Sequence, residues 1–381
     1  MTGGRDKIKI GIDAKWYFEG PPSGHVVVRN LVNNVLANPL GFDIYLILNS
    51  KDKQLARETF DKSVKLIFLP GLPNLLLNML ALPLAARRYK LDIVVYQNFG
   101  SFWPAKLFKV AYIHDVLFLD MPKYYTRGER FYFKKMTSLA RAANMIITIS
   151  NHEKRRIVDH QIAAEGDVKV VHHGVDENFK PLSDYPEAEV KEVEERYRLP
   201  AQYILYVGRV NVRKNISKLI TAMPLIKSKI QMLIVGERGA ETSVLQRQIA
   251  ELDLNNRVIF TGHVPLADLY IIYARATVFC FPSFAEGFGL PPLEAMKCGV
   301  PVVVSNRTAM PEVCGDAAVY INPDEPVHIA LKISELLGDR IYYAQKVAAG
   351  LKHVKQFTWQ RAANLLLTLI AEAYAYRKHH S

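Results

Sequence analysis

Short apolar runs alternate along the chain with longer amphipathic stretches. In the first half the runs are Lys9 to Ile12, Ile44 to Leu48, Leu66 to Leu69, Ile93 to Tyr96, Val110 to Ile113 and Met145 to Ile149. Their Val, Ile and Leu follow one another without polar alternation, so both faces of each strand need cover, and the helix-length spacers can supply it. That combination predicts a parallel sheet with helices on both faces. The rhythm pauses between Asp176 and Pro200, where Glu177 to Pro186 reads as a linker and an acidic helical stretch follows. It restarts with Tyr203 to Val207, Gln231 to Val235, Val258 to Phe260, Val278 to Phe281 and Val300 to Val304. The expected fold is α/β: two doubly wound parallel-sheet domains over residues 1–180 and 198–360, with a helix at about 360–381 packing back onto the first. Two such domains in tandem would face a central cleft, and doubly wound sheets bind ligands beyond the carboxyl ends of their strands.

A length of 381 residues suits two cores, and 23% charged residues beside 50% apolar ones mark a folded chain rather than a disordered one. Cys280, Cys298 and Cys314 have neither paired nor metal-ligand spacing, which points to a reducing compartment. The first ten residues lack the apolar core of a secretory signal, so a cytoplasmic location is expected. Charge refines this picture. Residues 1 to 150 hold 21 Lys and Arg against 11 Asp and Glu, an excess of 10 out of the net +12 of the whole chain. The longest apolar run, Leu75 to Ala86, is broken by Asn78 and Pro83 and is followed by Arg87 and Arg88. It is far short of the roughly 20 residues that span a bilayer. It reads either as a buried helix or as a peripheral contact with the anionic inner face of the cell membrane. Without a recognition motif or an interleaved aromatic platform, the basic excess does not point to nucleic acid.

The segment from Phe281 to Gly299 is the richest in chemistry. A strand ends near Pro282, a loop with Glu286, Gly287 and Gly289 follows, and Pro291-Pro292 suits the first turn of a helix with Glu294 near its start. Glycines let a ligand approach the backbone, and the N–H groups and dipole of a helix start favour an anion such as a diphosphate. Carboxylates aimed at phosphate would repel it, so Glu286 and Glu294 read better as acceptors for hydroxyls, of a transferred sugar and of a ribose. The plainer alternative is a surface acid and an acid that complements the helix dipole. A second group follows Val207: Gly208, Arg209 and Lys214, ahead of an apolar helix from Ile216. Arg supplies a forked donor and Lys a point charge for phosphate, although the spacing is not that of a Walker loop. In Met232 to Gly239, Gly236 ends a strand, where it suits either a nucleoside or close helix–strand packing.

Taken in order, Val207-Gly-Arg with Lys214-Asn, Val235-Gly, Phe260-Thr-Gly and Glu286-Gly-Phe-Gly-Leu-Pro followed by Glu294-Ala-Met form a recognisable set. The set resembles the donor-binding domain of retaining glycosyltransferases with the GT-B fold, specifically glycosyltransferase family 4 (glycosyl transferases group 1). Pro301-Val-Val-Val-Ser-Asn, Pro311-Glu-Val, Gly315-Asp-Ala-Ala and Phe357-Thr-Trp continue the pattern in the same order. The resemblance implies that Arg209 and Lys214 bind the donor diphosphate, Glu286 the donor sugar and Glu294 the ribose. It implies further donor contacts from Gly208, Gly236, Gly262, Gly287, Phe288, Gly289 and Leu290. In the first half, Val110-Ala-Tyr-Ile-His-Asp places His114 where the family has a cleft-lining histidine that contacts the donor sugar. Val171-His-His-Gly-Val-Asp is similar to the segment that leads into the interdomain linker. The first loop departs from the family's two closely spaced glycines. It offers Gly20-Pro-Pro-Ser-Gly24-His25, with Gly24 as the backbone approach point for acceptor or phosphates. Ser150 with Glu153 reads as a capping box at a helix start.

The sequence contains no Asp-x-Asp and no cluster with metal-ligand spacing, so neither metal nor other cofactor is expected. Leaving-group charge then falls to Arg209, Lys214 and the helix start. The resemblance implies a retaining transfer in which the departing phosphate accepts the proton of the incoming hydroxyl. It implies a nucleotide-sugar donor, GDP-mannose or a UDP-sugar. The hexose would pass to a saccharide or lipid-linked saccharide acceptor in bacterial surface polysaccharide or lipopolysaccharide biosynthesis. Two other readings stay open: a nucleotide-sugar epimerase on the same scaffold, and a nonenzymatic sugar- or nucleotide-binding module.

Overall fold

The computed structural model describes residues 7–237, 239 and 241–380; Arg238, beside the Gly236 segment, and the outermost ends of the expected domain spans lie outside the described residues. The chain divides into two compact units, Met1–Gly174 with Thr358–Ser381, and Val175–Phe357.

The first unit carries β1 (Lys9–Asp13), β2 (Asp43–Asn49), β3 (Lys65–Leu69), β4 (Ile93–Gln97), β5 (Phe108–Ile113), β6 (Met145–Thr148) and β7 (Val168–Val170). They form one parallel sheet in the order β3-β2-β1-β4-β5-β6-β7. Central strands β4, β5 and β6 are buried along their whole length, which is why their sequences run apolar without alternation. Winding reverses between β1 and β4, the switch point at which such sheets leave a crevice beyond the strand ends. The helix Trp359–His380 packs on the helix Pro22–Ala37 of the same unit. It buries Ala362, Ala363, Leu366, Leu367 and Ile370 at three- and four-residue spacings, and Asn38 donates to Asn364 across the contact at 3.0 Å. Each of those leucines stabilises the unit by roughly 1.5–3 kcal/mol through burial.

The Leu75 to Ala86 stretch lies in a helix that runs from Asn74 to Arg88 with a π turn over Leu77–Ala81. Leu77, Leu82 and Ala86 pack into a core with Ile67, Leu69 and Tyr96. On the opposite face Leu76, Leu80 and Leu84, four residues apart, are 41%, 48% and 57% exposed. The helix is therefore apolar on both faces while only one is covered. Among the described residues no helix is long and apolar enough to cross a membrane.

The second unit carries β8 (Tyr203–Val207), β9 (Gln231–Val235), β10 (Val258–Gly262), β11 (Val278–Phe281), β12 (Val302–Ser305) and β13 (Val319–Ile321), again all parallel, in the order β10-β9-β8-β11-β12-β13. Its switch point lies between β8 and β11, the strands that precede Gly208 and the Glu286 loop. The acidic helix Glu187–Tyr197, expected within a linker, belongs to this unit. Arg196 and Tyr197 both donate to Asp268, at 2.7 and 2.8 Å, and Glu194 pairs with Arg275. The unit thus begins at Val175 rather than near 198: beside these polar contacts, Val175, Phe179 and Val193 are buried within a segment otherwise too polar to read as core. Strands β7 and β13 did not stand out in the sequence either. Each is a three-residue edge strand, too short to make an apolar run.

Candidate functional site

In the second unit, two loops leave the strands that flank the switch point and are tied to each other. After β8 the chain turns through Asn211, whose side chain accepts from the Lys214 N–H at 3.1 Å. Asn215 then adopts a left-handed conformation (φ 58°) with its amide buried, and donates to the carbonyls of Pro282 (3.0 Å) and Pro323 (2.7 Å). Asparagine tolerates this backbone region better than most residues and here gains two hydrogen bonds from it. Phe284 N–H donates to the Arg213 carbonyl at 2.9 Å, and the Arg213 guanidinium donates to the Ala285 carbonyl. The basic loop and the glycine-rich loop are thus one hydrogen-bonded body.

At the centre of that body lies Glu286, 7% exposed. Lys214 Nζ stands 2.7 Å from one carboxylate oxygen and an Arg213 nitrogen 3.1 Å from the other. Burial works to raise the Glu286 pKa, but the Arg213 and Lys214 charges outweigh it and hold the carboxyl down to about 2. Lys214 also sits 4.7 Å over the Phe281 ring, so its position is set from two sides. The Glu286 N–H donates at 2.9 Å to the hydroxyl of Thr308, a β-branched residue held at φ 54°. Such a conformation is costly and persists only where the surroundings impose it.

Past Glu286, Gly287 and Phe288 are buried and Gly289 precedes the helix Leu290–Lys297. Gly289 has φ 107°, a backbone region that favours glycine, whereas the Met310 methyl 2.2 Å from a Cβ built there is the end of a flexible side chain. Pro291 and Pro292 occupy the first turn and carry no N–H. The backbone donors of this helix start are therefore confined to residues up to Leu290, a narrower set than a helix start ordinarily offers. Glu294 lies a full turn inside the helix, not near its start, and the first turn holds no acid. It does not serve as a dipole-complementing cap. Its carboxylate accepts from Tyr273 Oη at 2.7 Å, and burial, against the lowering effect of that hydrogen bond, raises its pKa to about 7. Two glutamates eight positions apart thus have opposite electrostatic character: Glu286 is firmly ionised, while Glu294 titrates near neutrality.

Gly208, Gly236 and Gly262 end or follow the neighbouring strands β8, β9 and β10. Gly208 N–H donates to Val235 O (2.9 Å) and Gly236 N–H to Gly262 O (3.0 Å). A Cβ on Gly236 would fall 2.1 Å from the Gly208 carbonyl oxygen, so close backbone packing alone accounts for that glycine. Arg209 is exposed and has no ion-pair partner among the described residues. Arg213, Thr308 and Tyr273 escaped the sequence reading, and Asn215 appeared there only as part of the Lys214-Asn pair, without a role. Arg213 had a visible signal, its place next to Lys214; the other three act through tertiary contacts that no spacing reveals.

His114 and Gly24 belong to the first unit. His114 follows β5, half-buried, with Nε2 2.9 Å from Gln97 Oε1 and rings of Tyr112, Trp16 and His173 centred 5.2, 5.8 and 6.2 Å away. Burial pushes its pKa down to about 4, so the ring is neutral near pH 7. Gly24 is the third residue of the helix Pro22–Ala37, and a Cβ there would lie 2.9 Å from the Trp16 ring. Packing against Trp16 already requires a glycine. Ser150 caps the helix Asn151–Asp159 by accepting from the Glu153 N–H at 3.1 Å, and the Glu153 carboxylate accepts from Val116 N–H at 2.9 Å.

Residues 24–179 match the family model Glycosyltransferase Family 4 and residues 190–353 match Glycosyl transferases group 1. The chain is 34% identical over 283 residues to the O-antigen chain mannosyltransferase B of Escherichia coli, a match spanning 72% of this chain and 73% of that protein. It is 30% identical over 267 residues to the serotype-specific mannosyltransferase WbdA of Escherichia coli, spanning 68% of this chain but 32% of that longer protein. Among solved structures, sucrose-phosphate synthase from Thermosynechococcus elongatus superposes with a TM-score of 0.77 over 97% of this chain and 100% of that one, at 20% identity, a likeness of fold. With two doubly wound parallel sheets and these relatives, the chain belongs to glycosyltransferase family 4 and is a glycosyltransferase of the GT-B fold.

Proposed function

We propose that this glycosyltransferase moves a hexose, with retention of configuration, from a nucleotide diphosphate sugar to a saccharide or lipid-linked saccharide acceptor in bacterial surface polysaccharide or lipopolysaccharide biosynthesis. The observation that carries the reading is the Glu286 carboxylate, held ionised by Lys214 and Arg213 beside the glycine-rich start of the helix Leu290–Lys297. An ionised acceptor flanked by cations suits a ligand that presents hydroxyls next to phosphates. The preferred donor is GDP-mannose, by kinship with mannosyltransferases, and a UDP-sugar is the alternative.

In this scheme Glu286 accepts hydroxyls of the transferred sugar. Arg209 and Lys214 bind the diphosphate: an ammonium has three donors and can hold Glu286 and a phosphate oxygen together. Backbone N–H groups of Phe288, Gly289 and Leu290 add to that site, and Glu294 accepts from the ribose. The bond from the anomeric carbon to the phosphate oxygen breaks with its electron pair going to the diphosphate. The acceptor oxygen bonds to the anomeric carbon on the same face and its proton passes to the departing phosphate. Preorganised cations meet the developing charge without a metal. His114, neutral and ringed by aromatic groups, is the candidate for a contact with a sugar hydroxyl.

A labelled sugar nucleotide tests the scheme. With acceptor it is expected to give a glycosylated product, and without acceptor the sugar stays unconverted, whereas an epimerase would convert it. The Arg209→Ala, Lys214→Ala double variant is expected to lose transfer by roughly 100-fold or more and to lose the donor-induced thermal shift. Unchanged transfer would remove these residues from the site.

Titration offers a second test. Glu294 has a pKa of about 7 in the ligand-free protein. Hydrogen bonds from a ribose stabilise its ionised form, so binding lowers that pKa and releases a proton. Nucleotide affinity is therefore expected to rise from pH 6 to pH 8 and to lose this slope in Glu294→Gln. Calorimetry in two buffers of different ionisation enthalpy measures the proton directly; a slope unchanged in the variant contradicts the ribose role.

The exposed Leu76, Leu80 and Leu84 face, followed by Arg87 and Arg88, further supports a peripheral contact of the first unit with an anionic membrane. Co-sedimentation with anionic liposomes at low salt is expected, weakened by salt and by Leu80→Asp, Leu84→Asp. Absence of binding at low salt would sink the membrane contact.

A further inference from the structure

A chain of buried polar side chains in the first unit ends on His114. Asp13 closes β1 and Gln97 closes β4, neighbouring strands paired in register through Ile12 and Val95. Asp13 and Lys15 are almost fully buried and form an ion pair at 3.2 Å. Lys15 Nζ also donates to the Asn78 amide oxygen, and Asn78 donates at 2.9 Å to the Phe99 carbonyl from within the π turn. Asp13 in turn holds Gln97 twice: its carboxylate accepts from the Gln97 backbone N–H at 3.4 Å, and its carbonyl accepts from the side-chain amide nitrogen at 3.2 Å. The remaining amide atom, Oε1, faces His114 Nε2 at 2.9 Å.

The orientation of that amide follows from its partners. Turning it over would place Oε1 against the Asp13 carbonyl oxygen, two acceptors in contact, and lose the hydrogen bond that Asp13 accepts. With Oε1 fixed toward the imidazole, Nε2 must carry the proton. A neutral ring protonated on Nε2 has a lone pair on Nδ1.

We infer that Gln97 is a positioning residue for His114, its amide held by the Asp13 main-chain carbonyl so that the imidazole keeps its Nε2–H tautomer and offers Nδ1 as acceptor for a hydroxyl of the bound sugar. The sugar contact rests on the function proposed above; the tautomer does not. The ion-paired Asp13 carboxylate anchors the Gln97 backbone, while the Asp13 main-chain carbonyl fixes the orientation of the amide. The histidine then meets its ligand with one hydrogen-bonding sense only. It acts as an acceptor at the free nitrogen over the physiological range, which the depressed basicity of the buried ring supports.

Two-bond proton–nitrogen correlation spectra of the full-length protein, labelled with 15N-histidine, test this. His114→Gln identifies the resonances. The wild type is expected to show Nε2–H and unprotonated Nδ1 between pH 6.5 and pH 8, and Gln97→Leu to shift toward the other tautomer. Addition of GDP-mannose or a UDP-hexose is expected to move the Nδ1 resonance, whereas GDP or UDP alone leaves it in place. In turnover, Gln97→Leu is expected to lower kcat by roughly 10- to 100-fold with nucleotide affinity unchanged. A wild-type ring protonated on Nδ1, or a tautomer unaltered by Gln97→Leu, overturns the assignment even if the variant turns over slowly. An Nδ1 resonance that both sugar nucleotides leave unmoved removes the sugar contact. The tautomer can be read without turnover, so failure of glycosyl transfer is distinguishable from failure of this inference.

Discussion

A carboxylate as deeply buried as Glu286 stays ionised only if cations reach it, and Lys214 and Arg213 both do. Loss of one partner from such a cluster leaves an uncompensated buried charge and costs roughly 3–5 kcal/mol. The rest of the second unit's switch point follows from meeting that condition. The cations come from the loop after β8 and the carboxylate from the loop after β11, so the two loops must be locked together. Asn215 does this from a left-handed backbone, and the strained Thr308 holds the Glu286 N–H from the far side. The geometry that protects one charge also leaves a cationic, glycine-lined edge beside a helix start, the feature a phosphorylated sugar needs.

The first unit meets its own switch point with a related device. There too a buried ion pair, Asp13 with Lys15, stands at the carboxyl end of a central strand, and the Asp13 main-chain carbonyl orients a neutral side chain, Gln97, from the adjacent strand. In each unit the sheet is apolar through its middle strands and concentrates its polar atoms at the carboxyl ends. A doubly wound parallel sheet makes this division natural: helices cover both faces, so only the strand ends remain for chemistry.

The strands β1 to β6 and β8 to β12 were legible in the sequence because full burial forces uninterrupted apolar runs. The edges β7 and β13 were not, since three residues carry no period. The beginning of the second unit at Val175 was hidden by polarity: the helix Glu187–Tyr197 buries Val193 alone and otherwise docks through Arg196, Tyr197 and Glu194. In the site, glycine spacing and the two glutamates were visible, as was Lys214. The pairing of Glu286 with Arg213 was not, because it joins positions 73 apart that only the fold brings together. Glu294 read as an acid near the helix start because Pro291 and Pro292 mark that start; counting from Leu290, it stands on the second turn, within reach of Tyr273. The leucine-rich helix Asn74–Arg88 was ambiguous in the sequence because its two apolar faces are, in the folded unit, one buried and one open.

In the proposed scheme the ionised Glu286 holds the donor sugar while the cations around it hold the phosphates. Turnover by Glu286→Gln at saturating sugar nucleotide, measured beside GDP and UDP binding, tests it most directly. The account predicts a fold that persists, nucleoside diphosphate binding that remains, and transfer reduced by roughly 100-fold or more. Turnover at the wild-type rate in that variant would contradict it.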